Sequence, residues 1–166
     1  PMDEPSSRDE GVRFYDADPR AVIPLDPLRI PRSVRRAARR DPGEMVIDGD
    51  FAGVLARCAE RGAEETWLTP RLQGAYVDLH ECGFAHSVEW RRAGRLAGGL
   101  FGVAIGGLFT SESMFHRESD AGSLALAATG AHLRERGLLL WDIQMLSHHT
   151  ARFGGIEIPG EEYRRR

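Results

Sequence analysis

The chain contains no lysine and no asparagine; all 22 of its Lys-plus-Arg positions are arginine. That excludes lysine nucleophiles, Schiff-base chemistry, a lysine on nucleotide phosphates and N-glycosylation sequons. The two absences together are the mark of GC-rich coding. No apolar run is long enough to span a bilayer, and no signal or transit segment is recognisable. Pro1 precedes Met2, which reads as the true start. Cysteine is limited to Cys58 and Cys82, without CxxC or zinc-type spacing. Two such residues are expected as reduced, half-buried thiols in a cytoplasmic protein.

What is present bounds the class. A chain of 166 residues, 42% apolar, suits a single soluble core. The net charge of −3 is uneven, because residues 1–18 hold six acids against Arg8 and Arg13. Residues 1–12 therefore read as a flexible acidic tail, followed by one domain over 13–166 that is close to neutral. Any nucleic-acid contact must then come from local clusters.

Four prolines punctuate an extended entry containing Ala21-Val22-Ile23. Ser33 reads as the cap of a brief helix to about Arg40, and Met45-Val46-Ile47 as a strand. Asp50 caps a helix with Phe51, Val54, Leu55 and Cys58 on one stripe. Thr69-Pro70 opens another, with Leu72, Tyr76 and Leu79 facing inward and Gly83 at its end. The period then changes to alternation: 87–92, 95–105 and 108–114, with turns at Ala93-Gly94 and Gly106-Gly107, predict an antiparallel meander. A helix from Asp120 to Arg136 stopped by Gly137, an apolar strand from Leu138 to Gln144 and a short helix from about Leu146 to Phe153 complete the pattern. The order predicts a mixed α/β domain with one central sheet.

Asp142 and Gln144 lie two apart, so one strand projects both to one face. A carboxylate and an amide together can hold a nucleophile and its proton in line; a pair capping the next helix would look the same. Glu112, among apolar neighbours on a strand expected to be central, needs a cationic or amine partner. On an edge strand it would simply be solvated. His148-His149 does not match metal-ligand spacing, since adjacent helical residues diverge by about 100°. His80 and His86 carry no assignment. Arg32, Arg35, Arg36, Arg39 and Arg40 recur at helical steps, opposed only by Val34, Ala37 and Ala38. Such a helix buries little and presents a cationic face suited to phosphates. Arg91-Arg92 with Arg95, and Arg164-Arg165-Arg166, make smaller clusters.

Collinear segments resemble the bacterial leucyl/phenylalanyl-tRNA–protein transferases. They are Asp18-Pro19-Arg20-Ala21-Val22, Ile30-Pro31-Arg32-Ser33-Val34-Arg35-Arg36 and Glu65-Thr66-Trp67-Leu68-Thr69, then Tyr76 with the run 79–89 (LHECGFAHSVE). Gly98 to Val103, Phe109, Glu112-Ser113-Met114-Phe115, Asp142-Ile143-Gln144, His149-Thr150 and Glu157-Ile158-Pro159 continue the order. The resemblance implies a GNAT-like fold, with a central, mostly antiparallel sheet flanked by helices. It also implies transfer of an aminoacyl group from a charged tRNA to a primary amine, without cofactor, nucleotide triphosphate or metal, and without a membrane. The amine is a protein N-terminus in the family; a small biosynthetic metabolite is the other candidate.

Carried over residue by residue, Asp142 polarises the Asp–Gln network, Gln144 hydrogen-bonds the amine or ester, and Glu112 faces the aminoacyl amine. Leu100, Phe109, Met114, Thr129, Leu133 and Trp141 fall where the family lines its aminoacyl pocket. Arg32, Arg35, Arg36, Arg39 and Arg40 fall on its basic helix near the tRNA acceptor stem. The sequence also departs from the family. Thr129 and Leu133 replace pocket aromatics, and Trp141 replaces an aliphatic residue. Gly122-Ser123 replaces a Ser-Lys pair, Ser147 an asparagine, and Gly160 an arginine. Phe14-Tyr15 stand at a tryptophan pair that joins an additional N-terminal domain, which this chain is expected to lack. Two other functions compete: a non-catalytic tRNA-binding remnant, and a CoA-dependent N-acetyltransferase. For the latter the nearest phosphate-loop match, 134–139, lies at a helix end and lacks a second glycine.

Overall fold

A computed structural model describes residues 17–60 and 66–165; the expected acidic tail, Phe14-Tyr15 and Glu65 lie outside them. The strands are β1 (Arg20–Ile23), β2 (Glu44–Ile47), β3 (Ala85–Arg92), β4 (Arg95–Ile105), β5 (Leu108–His116), β6 (Leu140–Gln144) and β7 (Ile156–Ile158). The helices are α1 (Arg32–Ala38), α2 (Phe51–Ala59), α3 (Pro70–Glu81), α4 (Ala121–Glu135), α5 (His148–Ala151) and α6 (Gly160–Tyr163). All seven strands form one sheet in the order β2-β3-β4-β5-β6-β1-β7. Only β5 and β6 run parallel. The mixed α/β domain with a mostly antiparallel sheet is thus the fold observed, and β5 is a central strand.

Alternation along the strands divides the core between the two faces. Ala21, Ile23, Leu100, Phe109, Trp141 and Ile143 pack on one side with Leu124, Leu126 and Leu133 of α4 and Val34 of α1. Phe101 and Ala85 pack on the other with Phe51, Val54, Leu55 and Cys58 of α2. Val22, Leu140 and Ile158 form a smaller cluster with Leu108 and Tyr163. Large α4 side chains meet a glycine-rich β4, and in return Gly130 makes room for Trp141. A Cβ there would stand 2.7 Å from the indole.

Local chemistry explains most boundaries. Asp50 caps α2 by accepting from Gly53 N, and Thr69 caps α3 by accepting from Leu72 N. The fully buried Glu89 fixes the start of α2, accepting from Asp50 N at 2.6 Å, Ser87 Oγ at 3.1 Å and Arg91 Nε at 2.7 Å. Ser147 closes a capping box with Thr150 at α5.

Three expectations need correction. Ser33 is not a cap: α1 begins at Arg32 behind Pro31, and the Ser33 hydroxyl instead accepts from Arg152 Nη2 at 3.0 Å. Leu79 is exposed, because α3 turns Tyr76 and Val77 toward the sheet. The cysteines are not alike: both are free, but Cys58 is buried and Cys82 exposed. β7 and α6 were not anticipated.

One irregularity bears on function. In the β4–β5 ladder, Phe101 pairs with Ser113 but Gly102 pairs with Ser111, leaving Glu112 without a partner. This is a β-bulge, which re-aims a side chain and shifts the alternation by one residue. Phe109 and Met114 therefore reach the same core cluster despite an odd separation.

Candidate active site

β6 is hydrogen-bonded to β5 only as far as Thr110 opposite Asp142, after which the two strands diverge. Asp142, Gln144 and Glu112 meet where the pairing stops. Asp142 is fully buried and, by alternation, points away from the α4 face that Trp141 and Ile143 join. Its Oδ2 accepts from Arg20 Nη2 and from the Tyr163 hydroxyl, both at 2.7 Å, and its Oδ1 accepts from Gln144 N at 2.7 Å. Arg20 lies on β1 next door, and its guanidinium stands 5.2 Å from the centre of the Tyr163 ring. Burial, with Asp142 alongside, pushes the Tyr163 phenol up to about 12.

Gln144 ends β6 with φ of 60°, in the left-handed region. From there its Nε2 donates to Glu112 Oε2 at 3.1 Å. The Tyr76 hydroxyl of α3 is the other polar group that acts on Glu112. Burial raises the Glu112 carboxyl above its usual range, while Gln144 and Tyr76 pull it back. Burial and the adjacent Glu112 also raise the Tyr76 phenol. Tyr76 is edge-on to Phe101 at 4.9 Å and to the exposed Trp67 at 6.3 Å. The bulge on β5 turns Glu112 toward this group. Asp142 is matched by a guanidinium, whereas the hydrogen-bond partner of Glu112 is a neutral amide. An amine or ammonium arriving beside Glu112 would complete the pairing.

The expected pocket residues lie on the α4 side of the sheet. Leu100, Phe109, Leu133 and Trp141 belong to that core cluster, and Met114 packs against it. Thr129 is fully buried and donates its hydroxyl to Ala125 O at 2.8 Å. Trp141 Nε1 donates to Ser111 Oγ at 2.9 Å. A cavity of about 490 Å³ takes in Met114 with His116, Gly122, Ser123, Ser147 and His149. A second, of about 390 Å³, takes in Phe109 and Leu133. In the first of these, His149 Nε2 is buried without a partner, and burial with nearby Arg152 lowers the basicity of its ring.

Arg32, Arg35, Arg36, Arg39 and Arg40 are all exposed, and the first four line a cavity of about 570 Å³ with Ser33. They are not brought to the Glu112–Gln144 pair. The Arg152–Ser33 bond ties this helix to α5, which follows Gln144 closely in the chain. Among the described residues no group of three metal-ligating side chains forms, and no helix is long and apolar enough to cross a membrane. Sequence reasoning placed Tyr76 in the core, and it assigned no role to Arg20 or Tyr163. Arg20 stood in a resembling segment; Tyr163 carried no signal.

The fold is GNAT-like. The chain superimposes with a TM-score of 0.60 on a GCN5-related glucosamine N-acetyltransferase region of a fungal multi-domain GH3 beta-N-acetylglucosaminidase. Identity there is 12%, over 89% of this chain and 20% of that one. A functionally unknown conserved protein from Staphylococcus epidermidis gives 0.55, at 10% identity over 84% of this chain and 56% of that one. Sequence relatives are nearer. A leucyl/phenylalanyl-tRNA–protein transferase of Rubrobacter xylanophilus is 47% identical over 100% of this chain and 85% of its own length. Those of Ruegeria pomeroyi and Akkermansia muciniphila are 45% and 44% identical, over 95% and 99% of this chain and 74% and 86% of theirs. The family model of the leucyl/phenylalanyl-tRNA protein transferases matches residues 22–166. By that match, and by relatives aligned along nearly its whole length, the chain belongs to the leucyl/phenylalanyl-tRNA–protein transferase family.

Proposed function

We propose that the protein is an aminoacyltransferase that moves the aminoacyl group of a charged tRNA onto a primary amine, with a protein N-terminus as the acceptor. The observation that carries this reading is Glu112: a half-buried carboxylate that accepts from the neutral side-chain amide of Gln144, a residue whose backbone is tied to Asp142. The aminoacyl ester is already activated, so the protein's task is positioning and proton handling. The donor's α-ammonium sits against Glu112. Gln144 holds the ester or the incoming amine, and Asp142 sets the Gln144 backbone. The acceptor nitrogen attacks the ester carbon, the C–N bond forms, the ester C–O bond breaks, and the amine proton ends on the departing ribose oxygen.

The donor side chain is received on the α4 side of the sheet, in the cavity lined by Met114, which packs against the cluster of Phe109, Leu133 and Trp141. The α1 arginines take the phosphates of the acceptor strand. The test is incubation with a pool of radiolabelled aminoacyl-tRNAs, with peptides and small amines as separate acceptors. Label appears on peptide N-termini with the native chain and falls at least a hundredfold with Asp142→Ala or Gln144→Ala. Donors whose α-amino group is acetylated bind more weakly, and that difference shrinks in Glu112→Gln. Label on small amines alone moves the acceptor to a metabolite. Charged-tRNA binding without transfer to any acceptor reduces the role to tRNA binding, and tight acetyl-CoA binding refutes both tRNA readings.

A further inference from the structure

The reaction as proposed leaves two groups around Asp142 without a task, the Arg20 guanidinium and the Tyr163 hydroxyl. Arg20 spans the carboxylate, with Nη2 on Oδ2 at 2.7 Å and Nε at 3.1–3.2 Å from both oxygens, and Tyr163 donates to Oδ2, while Oδ1 accepts the Gln144 backbone N–H at 2.7 Å. We propose that Tyr163, together with Arg20, is a positioning residue that acts through Asp142 on Gln144, fixing the backbone from which the Gln144 amide reaches Glu112.

This rests on the aminoacyl-transfer reading, and the geometry carries it step by step. A glutamine at φ of 60° occupies a region that non-glycine residues enter only when the surroundings hold them there. Two bonds hold it there, its own N–H to Asp142 Oδ1 at 2.7 Å and, across the residue, Met145 N to Ile143 O at 2.6 Å; the first is the one a side chain controls. Oδ1 is placed by the side chain's rotation, which Arg20, bonded to both oxygens, and Tyr163, bonded to Oδ2, fix together. Tyr163 is suited to the part because its phenol stays protonated and keeps donating across the physiological range.

A simpler role would be to pin α6 in place, but α6 has other fastenings. The Tyr163 ring packs with Val22, Leu140 and Ile158, and Gly160 N donates to Asp18 Oδ1 at 3.0 Å. The hydroxyl can therefore be removed without unseating the helix.

The test is Tyr163→Phe in the full chain, alone and combined with Gln144→Ala, read by NMR amide exchange and by transfer from charged tRNA. In Tyr163→Phe the Gln144 backbone amide exchanges about tenfold faster, kcat falls about tenfold and KM for the charged tRNA stays within about twofold. With Gln144→Ala already present, adding Tyr163→Phe changes kcat by less than about twofold, because the group it acted on is gone. Equal losses in both backgrounds, or an unchanged Gln144 exchange rate, overturn the proposal and leave Tyr163 as an anchor for α6. A native chain that transfers no label refutes the transfer reading by itself. Exchange at Gln144 then decides the positioning claim, acceleration upholding it and no change overturning it.

Discussion

Glu112 combines two demands that conflict. Gln144 and Tyr76 favour the carboxylate, yet burial penalises the charge more, and its pKa ends above the unfolded value of 4.5. Between pH 4.5 and that raised value the folded state therefore binds more proton than the unfolded chain. Folding stability drawn from this group is present at low pH and is lost as pH rises through the raised value. Glu112→Gln removes the titration. Its melting temperature, compared with that of the native chain, should gain steadily from pH 4.5 towards neutrality, and a constant difference across that window would refute the raised pKa. A bound ammonium would favour the ionised form, so donor binding should lower the Glu112 pKa.

Among the elements, α4 and β6 show how neighbouring positions compensate. Trp141 is 1% exposed and cannot swing aside, so a Cβ at Gly130 meets its ring. Alanine gains about 1 kcal/mol of helix propensity there, but overpacking costs about 1–3 kcal/mol. Gly130→Ala should therefore lose about 1 kcal/mol in urea unfolding, and a gain would show that Leu28 and the indole yield freely. At the other face, Asp50→Ala should cost about 1 kcal/mol, since Gly53 N loses its acceptor.

These elements also show what a sequence can and cannot tell. The Asp50 and Thr69-Pro70 starts, and the meander's turns, are legible because the signals are local. Asp142 and Gln144 were legible through spacing and resemblance. The Ser33 cap failed because Pro31 already starts α1 and Arg152, far along the chain, takes the hydroxyl. The inward placing of Leu79 failed because the helical stripe leaves open which of two adjacent faces a sheet will meet. The bulge at Glu112 is a one-residue slip of register inside a hairpin, and the Tyr163–Asp142 bond spans 21 residues, so no local pattern announces either.

For the whole molecule, charge is concentrated where little is packed. Val34 is the one buried residue of α1, and its arginines face solvent. If they hold the acceptor strand, replacing Arg36, Arg39 and Arg40 with alanine should flatten the salt dependence of tRNA binding by about 2 in the log–log slope, at about 0.7 per phosphate. An unchanged slope would move the phosphate contacts elsewhere.

The short β5–β6 ladder has a mechanical consequence. Leu108–Thr110 against Leu140–Asp142 is the seam between a four-strand half, β2 to β5, and a three-strand half of β6, β1 and β7. Glu112 and Tyr76 belong to the first half, Asp142, Gln144, Arg20 and Tyr163 to the second. A donor gripped by Glu112 and Gln144 together is a stitch across that seam. Native-state hydrogen exchange should find the seam's backbone amides slowed on binding, although the donor is gripped beyond the end of the ladder.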